Sequence, residues 1–188
     1  KQVFKNLAAS PLSANGGLSN RALFMKILLL YPRFPKTFWG FQYALPFIGK
    51  KAVFPPLGLL TVAALLPQEW DKKLIDLNIQ ELEEKDVLET DLIFISAMII
   101  QKESVKEIIF QAKKFKKKIV AGGPLFTTGF EEFLNDIDYF IFKNNGLNYF
   151  VGREKNTCLA NLLFSQIKSF GRIIFFTKKI AVFAELGV

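Results

Sequence analysis

Three short segments of small, hydroxyl-bearing or proline residues each follow directly on an apolar run that is typical of a buried strand. They are Tyr31-Pro32, Ser96-Ala97-Met98 and Gly122-Gly123-Pro124. In an open parallel α/β sheet, ligands bind in the crevice at the carboxyl ends of the strands. We therefore expect the three segments to line one shared ligand site, which makes this chain a binding domain.

The residues needed for several kinds of catalysis are missing from this sequence. The chain has no histidine and a single cysteine, Cys158. Without histidine it cannot form a Ser-His-Asp or Cys-His site by itself. One cysteine cannot form an internal disulfide, a multi-thiolate zinc site or an iron–sulfur cluster. We therefore predict no catalytic residue and no protein ligand to a metal, and the cysteine usage is typical of a cytoplasmic protein.

The overall composition is that of a globular protein of 188 residues, with 51% hydrophobic and 22% charged residues. The longest apolar runs fall far short of the ~20 residues that a membrane-spanning helix needs, so no membrane span is predicted. The net charge of +8 comes partly from five lysines within residues 113–118. These lysines lie where a helix is predicted to end, which favours a solvated cluster that complements the helix dipole over a nucleic-acid site.

From Met25 onward, apolar runs typical of buried strands alternate with segments of helical periodicity. The predicted strands cover residues 26–31, 73–77, 91–96, 118–121 and 139–142, and the predicted helices cover residues 57–66, 86–89, 102–115 and 130–134. Continuous apolar strands separated by helices indicate a parallel sheet covered on both faces. The sequence therefore predicts an α/β fold with a doubly wound parallel five-stranded sheet, flavodoxin-like (Rossmann-like), in the strand order 2-1-3-4-5.

The long loop between the first strand and the first helix is rich in aromatic residues. These are Phe34, Phe38, Trp39, Phe41, Tyr43 and Phe47. Aromatic side chains in a loop of more than about 15 residues can cover a ligand or pack on a neighbouring domain, and they can equally belong to the core. The sequence favours neither interpretation.

Seven segments of the sequence occur in an order known from one protein family. They are Tyr31-Pro32-Arg33-Phe34-Pro35, Thr37-Phe38-Trp39, Lys50-Lys51-Ala52, Phe54-Pro55-Pro56-Leu57-Gly58-Leu59-Leu60, Asp76-Leu77-Asn78, Ser96-Ala97-Met98 and Gly122-Gly123-Pro124. On this pattern, residues 25–142 resemble the N-terminal cobalamin-binding domain of cobalamin-dependent radical S-adenosylmethionine enzymes. The resemblance implies that cobalamin is the cofactor and that the sheet is of the cobalamin-binding type.

The resemblance also implies roles for the three strand-end segments. Ser96 would supply a hydroxyl hydrogen bond to the nucleotide tail of the cofactor, and Met98 an adaptable apolar wall. Gly122 and Gly123 would let that tail pass close to the backbone. Taken singly, the serine is more typical of a turn or cap, and the glycines of a tight strand-to-helix connection, than of a cofactor site. The cofactor-binding residues implied in this way are Tyr31, Pro32, Ser96, Ala97, Met98, Gly122, Gly123 and Pro124.

The loop after the first strand departs from the better-known cobalamin domains. Those domains carry Asp-x-His-x-x-Gly at this place, and its histidine binds cobalt, whereas residues 31–36 here contain no histidine. The resemblance therefore implies that cobalt faces Tyr31, the proline-rich loop or water. A weak or absent lower ligand should favour transfer of a methyl group from cobalt.

The radical enzymes of this family continue into a barrel that carries Cys-x-x-x-Cys-x-x-Cys, a motif that residues 143–188 lack. We therefore interpret the chain as a fragment of a methylating enzyme that binds the corrinoid and does not catalyse alone. The iron–sulfur cluster would lie in a partner barrel domain. We divide the chain into a leader or non-native extension (residues 1–24), a cobalamin-binding-like domain (25–142) and a divergent C-terminal segment (143–188), with a helix predicted over 156–169 and a strand over 172–176.

Two other functions stay open at this point. A degenerate α/β domain that serves only as an interaction surface, without a cofactor, is suggested by the aromatic loop and the unusual C-terminal segment. A flavin or nucleotide site rests on the fold alone. The phosphate-binding glycine motifs that would support it are absent after the first strand.

Overall fold

The sheet of this protein has seven strands in the order β2-β1-β3-β4-β5-β6-β7. The computed structural model describes residues 24–37, 43–52, 54–144, 147–152 and 175–176. The strands are β1 (Lys26–Tyr31), β2 (Asp71–Asp76), β3 (Leu92–Ser96), β4 (Lys118–Gly122), β5 (Tyr139–Asn144), β6 (Leu147–Gly152) and β7 (Phe175–Phe176). Strands β1 to β5 run parallel to one another, which confirms the predicted five-stranded sheet and its order 2-1-3-4-5.

Helices cover both faces of the sheet, because successive residues of a strand point to opposite sides. They are α1 (Leu57–Leu65), α2 (Glu84–Leu88), α3 (Lys102–Lys114) and α4 (Pro124–Gly129), with 3₁₀ helices over Leu45–Ile48, Ile99–Gln101 and Phe130–Phe133. Leu28 of β1 shares a core with Val105 and Ile108 of α3. Its neighbour Leu29 lies in a second core with Leu59 of α1. The doubly wound arrangement is thus confirmed, and no helix of the described residues has the length and hydrophobicity needed to cross a membrane.

Two of the differences from the predicted elements have a clear physical reason. Strand β2 begins at Asp71 and not at residue 73, because it lies at the edge of the sheet, where its charged first residues need no apolar neighbours. Helix α4 begins at Pro124, directly after Gly123, where the sequence predicted a single short helix over 130–134. Proline suits the first position of a helix because its missing N–H would have no partner there. The predicted short helix corresponds to the 3₁₀ helix that follows α4.

Strand β6 was not among the predicted elements. It pairs antiparallel with β5, and β7 pairs parallel with β6. The two residues between β5 and β6 are Asn145-Gly146, a dipeptide typical of two-residue hairpins, so the sequence does carry a signal for this strand. Strand β7 falls within the strand predicted over 172–176, and the helix predicted over 156–169 lies outside the described residues. The division into three segments stays a prediction.

The lysines near the end of α3 are bonded to their own chain. Lys113 forms an ion pair with Asp136. The ammonium group of Lys117 donates to the carbonyl oxygens of Leu88 and Thr90, at 2.8 and 2.6 Å. These bonds support the structural interpretation of the lysine cluster.

Candidate binding site at the carboxyl edge of the sheet

The register of the sheet brings the three strand-end segments to one edge. Tyr31 is level with Asp76 at the end of β2, and Ser96 is level with Gly122. The backbone amide of Ala97 donates to the carbonyl oxygen of Gly122 at 3.1 Å, so the loops after β3 and β4 are bonded to each other. The predicted segments therefore lie close together, as expected from the parallel sheet.

The two glycines after β4 are in contact with other parts of the chain. Gly123 has φ of 95°, and a β-carbon on it would lie 2.8 Å from the carbonyl oxygen of Ala97 and 3.1 Å from the hydroxyl of Ser96. A β-carbon on Gly122 would lie 3.2 Å from the carbonyl oxygen of Ile141. Glycine is thus needed here for the close packing of the loops, and contact of these residues with a cofactor stays a prediction.

The three residues after β3 face different surroundings. The hydroxyl of Ser96 lies between the turn at Gly123 and the first turn of α1, where a β-carbon on Gly58 would be 3.5 Å from it. Ala97 is buried, and its carbonyl oxygen accepts from Leu125 in α4 at 3.1 Å. Met98 is 45% exposed. Of these three residues, Met98 is the one that can meet a large ligand from solvent.

Tyr31 is the last residue of β1, and its ring is buried. The ring packs edge-on against Phe34, with 5.8 Å between the centroids. Burial raises the pKa of the Tyr31 phenol, the charge of Asp76 raises it further, and a hydrogen bond with Gln101 acts in the opposite direction. The phenol therefore stays protonated at neutral pH and presents no negative charge to this edge of the sheet.

The carbonyl oxygen of Pro32 is held from two sides. It accepts from the side-chain amide of Gln101 at 2.5 Å and from that of Asn78 at 3.2 Å. Asn78 is itself oriented, because its amide also donates to Asp76 at 2.7 Å and its oxygen accepts from the backbone of Phe34 at 2.8 Å. These bonds fix the loop after β1 relative to the loops after β2 and β3.

Arg33 also holds the loop after β1 in place. Its backbone amide donates to the hydroxyl of Ser104 in α3 at 2.9 Å, and its guanidinium donates to the carbonyl oxygen of Leu77 at 3.2 Å. It also pairs with Glu81 at 2.5 Å. Because this pair is largely exposed, it contributes little to stability, and the partly buried bonds to Ser104 and Leu77 set the position of the residue.

The loops after β1, β2 and β3 enclose a cleft of about 570 Å³ at this edge. In a sheet of this order the connections from β1 and β3 leave in opposite directions, which creates a ligand-binding crevice between them. Met98 lines the cleft, and the other seven predicted site residues do not. The apolar part of the lining includes Phe34, Leu45, Phe54, Met98 and Ile100, and the polar part includes Arg33, Lys36, Asn78, Gln80 and Glu81.

The described part of the aromatic loop contains both core and exposed aromatic side chains. Phe34 packs against the core beside Tyr31. In contrast, Tyr43 and Phe47 are 80% and 91% exposed. Phe38, Trp39 and Phe41 lie outside the described residues. The start of the loop therefore belongs to the core, and its 3₁₀ helix presents an aromatic side chain to solvent.

Several residues that shape this site were not predicted from the sequence. Gln101 and Ser104 had no assigned role, and Arg33 and Asn78 appeared only as parts of recurring segments. A polar side chain directly after an apolar strand is a weak signal, since it is equally typical of an exposed loop. Its burial and its hydrogen bonds to Pro32 and Met98 distinguish Gln101 from a solvated residue.

Comparisons with known proteins agree with this architecture. A 40% identity over 122 residues links the chain to an uncharacterized methyltransferase of Synechocystis sp., covering 65% of this chain and 23% of that protein. A hopanoid C-2 methylase of Rhodopseudomonas palustris is 36% identical over 114 residues, which cover 60% of this chain and 21% of that protein. The chain therefore spans about a fifth of the length of these curated relatives.

A solved structure of a 3-hydroxyacyl-CoA dehydrogenase from Archaeoglobus fulgidus overlaps with 85% of this chain and with 59% of its own chain. Its TM-score of 0.39 and its sequence identity of 10% are too low to support an inference. The model of the B12 binding domain family matches residues 50–145, from the loop before α1 to the end of β5. This match covers just over half of the chain and confirms the resemblance to a cobalamin-binding domain. The protein belongs to the B12-binding domain family.

Proposed function

We propose that this chain binds a corrinoid at the cleft lined by the loops after β1, β2 and β3, as the cobalamin-binding domain of a larger methylating enzyme. The observation that carries the proposal is this cleft in a chain of the B12-binding domain family. The names of the two relatives, a methyltransferase and a methylase, support methylation as the activity of the larger protein. The sequence resemblance described above supports a radical S-adenosylmethionine enzyme as its class.

The lining of the cleft fits a ligand with broad apolar faces and a rim of carboxamides. Phe54, Met98 and Ile100 are large apolar side chains that are exposed at the mouth of the cleft. Exposed apolar side chains grouped in this way are typical of a binding site. At its polar side, Lys36 and Gln80 are exposed donors that can bond carboxamide oxygens.

A bound cobalamin would supply a cobalt-bound methyl group for transfer. The chain's own contribution would be to hold the cofactor at this edge of the sheet. Tyr31 is buried beneath the loop, and its raised pKa keeps it a neutral phenol. No histidine exists in the chain to bind the cobalt. We propose that the cobalt takes no ligand from this chain.

The position of the nucleotide tail at the turn after β4 is also a proposal. Its support is the convergence of three small residues, Gly58, Ser96 and Gly123, at the carboxyl edge. Because Gly123 and Ala97 are already in close contact, a tail would have to lie beside these loops or separate them. The cleft next to Met98 needs no such movement.

Titration with hydroxocobalamin tests the proposed function. The purified chain is mixed with the corrinoid, desalted, and examined by visible absorbance for retained cofactor. We expect about one corrinoid per folded chain, because the cleft is formed without the ligand. A chain with native circular dichroism that retains none contradicts the proposal.

An interaction domain without a cofactor is the second candidate function. The exposed apolar side chains around the cleft, including Phe54 and Ile100, are the observation that favours it. This function predicts association with a partner and no corrinoid retention. A monodisperse monomer that binds hydroxocobalamin would exclude it, and a parallel titration with flavin mononucleotide tests the flavin alternative.

A further inference from the structure

Gln101 is the most deeply buried polar side chain among the described residues. It is 1% exposed, whereas the other buried polar residues, Asp76, Thr90 and Ser104, are between 4% and 9% exposed. Burial of an amide is unfavourable unless both its donor and its acceptor are satisfied. A glutamine at this depth is therefore held there by specific bonds.

Both ends of the Gln101 amide are used, and they bond to different loops. The nitrogen donates to the carbonyl oxygen of Pro32 in the loop after β1, at 2.5 Å. The oxygen accepts from the backbone amide of Met98 in the loop after β3, at 2.8 Å. The side chain, at the end of the 3₁₀ helix after β3, thus closes its own loop at Met98 and connects it to the loop after β1.

The same bonds connect Gln101 to the third side of the cleft. The carbonyl oxygen of Pro32 also accepts from Asn78, which is bonded to Asp76 at the end of β2. The hydrogen-bonded chain Asp76–Asn78–Pro32–Gln101–Met98 therefore joins the loops after β2, β1 and β3. Gln101 is the one member that reaches across the crevice.

We propose that Gln101 is a positioning residue that keeps the cleft in its ligand-binding form before the corrinoid arrives. This inference rests on the proposed function. It requires no contact of Gln101 with the cofactor, since the residue is buried and acts through Pro32 and Met98. Without it the two loops would sample other separations, and only a fraction of the molecules would be ready to bind, which weakens the apparent affinity by that fraction.

Two substitutions remove the bridge in different ways. Gln101→Glu keeps the size and the acceptor but places a carboxylate against the Pro32 carbonyl oxygen, where a donor is needed. Gln101→Asn keeps the amide but is too short to reach both loops. For each variant we expect the dissociation constant for hydroxocobalamin to rise about tenfold or more, mainly through slower association.

Gln111→Met is the matched control. Gln111 lies on α3, its side-chain oxygen is buried, and that oxygen has no hydrogen-bond partner among the described residues. It does not line the cleft. We expect this control to bind hydroxocobalamin as the unaltered chain does, measured well below the melting temperature of every variant.

Amide hydrogen exchange provides a readout that does not involve the corrinoid. In the ligand-free chain, we expect the Met98 amide to exchange about tenfold faster in Gln101→Asn, because the shorter side chain no longer reaches it, and to be unchanged in Gln111→Met. Unchanged affinity in both Gln101 variants together with unchanged exchange in Gln101→Asn would overturn the inference alone. Failure of the unaltered chain to bind hydroxocobalamin would overturn the proposed function, and the inference with it.

Discussion

The α-carbon of Gly123 lies so close to Ala97 that a β-carbon on Gly123 would fall 2.8 Å from the carbonyl oxygen of Ala97. This approach packs the loop after β4 against the loop after β3, at the edge of the sheet where we propose that the corrinoid binds. The neighbouring bond from the Ala97 amide to Gly122 holds the same two loops together. The turn is thus part of the scaffold that positions Met98.

Gly123→Ala should lower the free energy of unfolding by about 2–3 kcal/mol, because φ of 95° strains any residue with a β-carbon and the contact with Ala97 is with backbone. Urea denaturation measures the loss. Gly129→Ala is the control, since nothing lies within 4 Å of its β-carbon position, and it should change the stability by no more than about 0.5 kcal/mol. Equal stability of the two variants would contradict the packing described for this turn.

Asn78→Asp should destabilise the protein by about 1–3 kcal/mol at neutral pH. The aspartate cannot donate to Pro32, and its charge would lie near Asp76, which the asparagine amide now bonds at 2.7 Å. The loss of stability should be smaller at low pH, where the new carboxyl group is protonated. Gln80→Glu adds the same charge at an exposed position two residues later and serves as the control in the same denaturation series.

Tyr31 should make the stability fall at alkaline pH. Burial and the charge of Asp76 raise its pKa in the folded state above the ordinary tyrosine value of 10.0. The folded state therefore holds the phenolic proton more tightly than the unfolded state. The contribution is fully present below the unfolded pKa and is lost as the pH rises through the folded pKa.

The comparison that isolates this effect is between the unaltered chain and Tyr31→Phe. The melting temperature of the variant should decline less between neutral pH and about pH 11 than that of the unaltered chain. Ultraviolet absorbance of the phenolate gives a second measurement. A Tyr31 that titrates at or below the ordinary tyrosine pKa would contradict the buried environment described here.

Lys116→Gly should stabilise the protein by about 0.5–1 kcal/mol. Lys116 is exposed and has φ of 53°, the left-handed region in which a residue with a β-carbon is strained and glycine is not. Glu107→Gly, at an exposed position in the middle of α3, should instead lower the free energy of unfolding by about 1 kcal/mol. Thermal unfolding measures both variants. A higher melting temperature for Lys116→Gly and a lower one for Glu107→Gly would confirm the turn geometry, and a lower melting temperature for both would contradict it.

The sequence predicts the framework of this protein well and the details of its site poorly, for physical reasons. The run Ile27–Leu30 is buried on both faces, so its apolar character alone identifies a central strand. Gln101 carries no such signal, because glutamine is usually exposed and its partner Pro32 lies in a distant part of the chain. Gly123 is recognisable as a turn residue, but the amino-acid sequence does not reveal that Ala97 occupies the space beside it.

The central claim is that the corrinoid binds at the cleft lined by the loops after β1, β2 and β3. Met98→Glu places a charge in its apolar lining, and Phe110→Glu places one on an equally apolar side chain that is 70% exposed on α3, away from the lining. Both positions tolerate a polar residue, because both are open to solvent. The two variants therefore differ mainly in whether the charge faces the proposed ligand.

The most direct measurement is the dissociation constant for hydroxocobalamin of the unaltered chain and of these two variants. We predict measurable binding by the unaltered chain, the same affinity for Phe110→Glu, and a loss of about tenfold or more for Met98→Glu, because a carboxylate buried against an apolar face is unfavourable. Equal affinity of all three proteins would contradict the assignment of the corrinoid to this cleft.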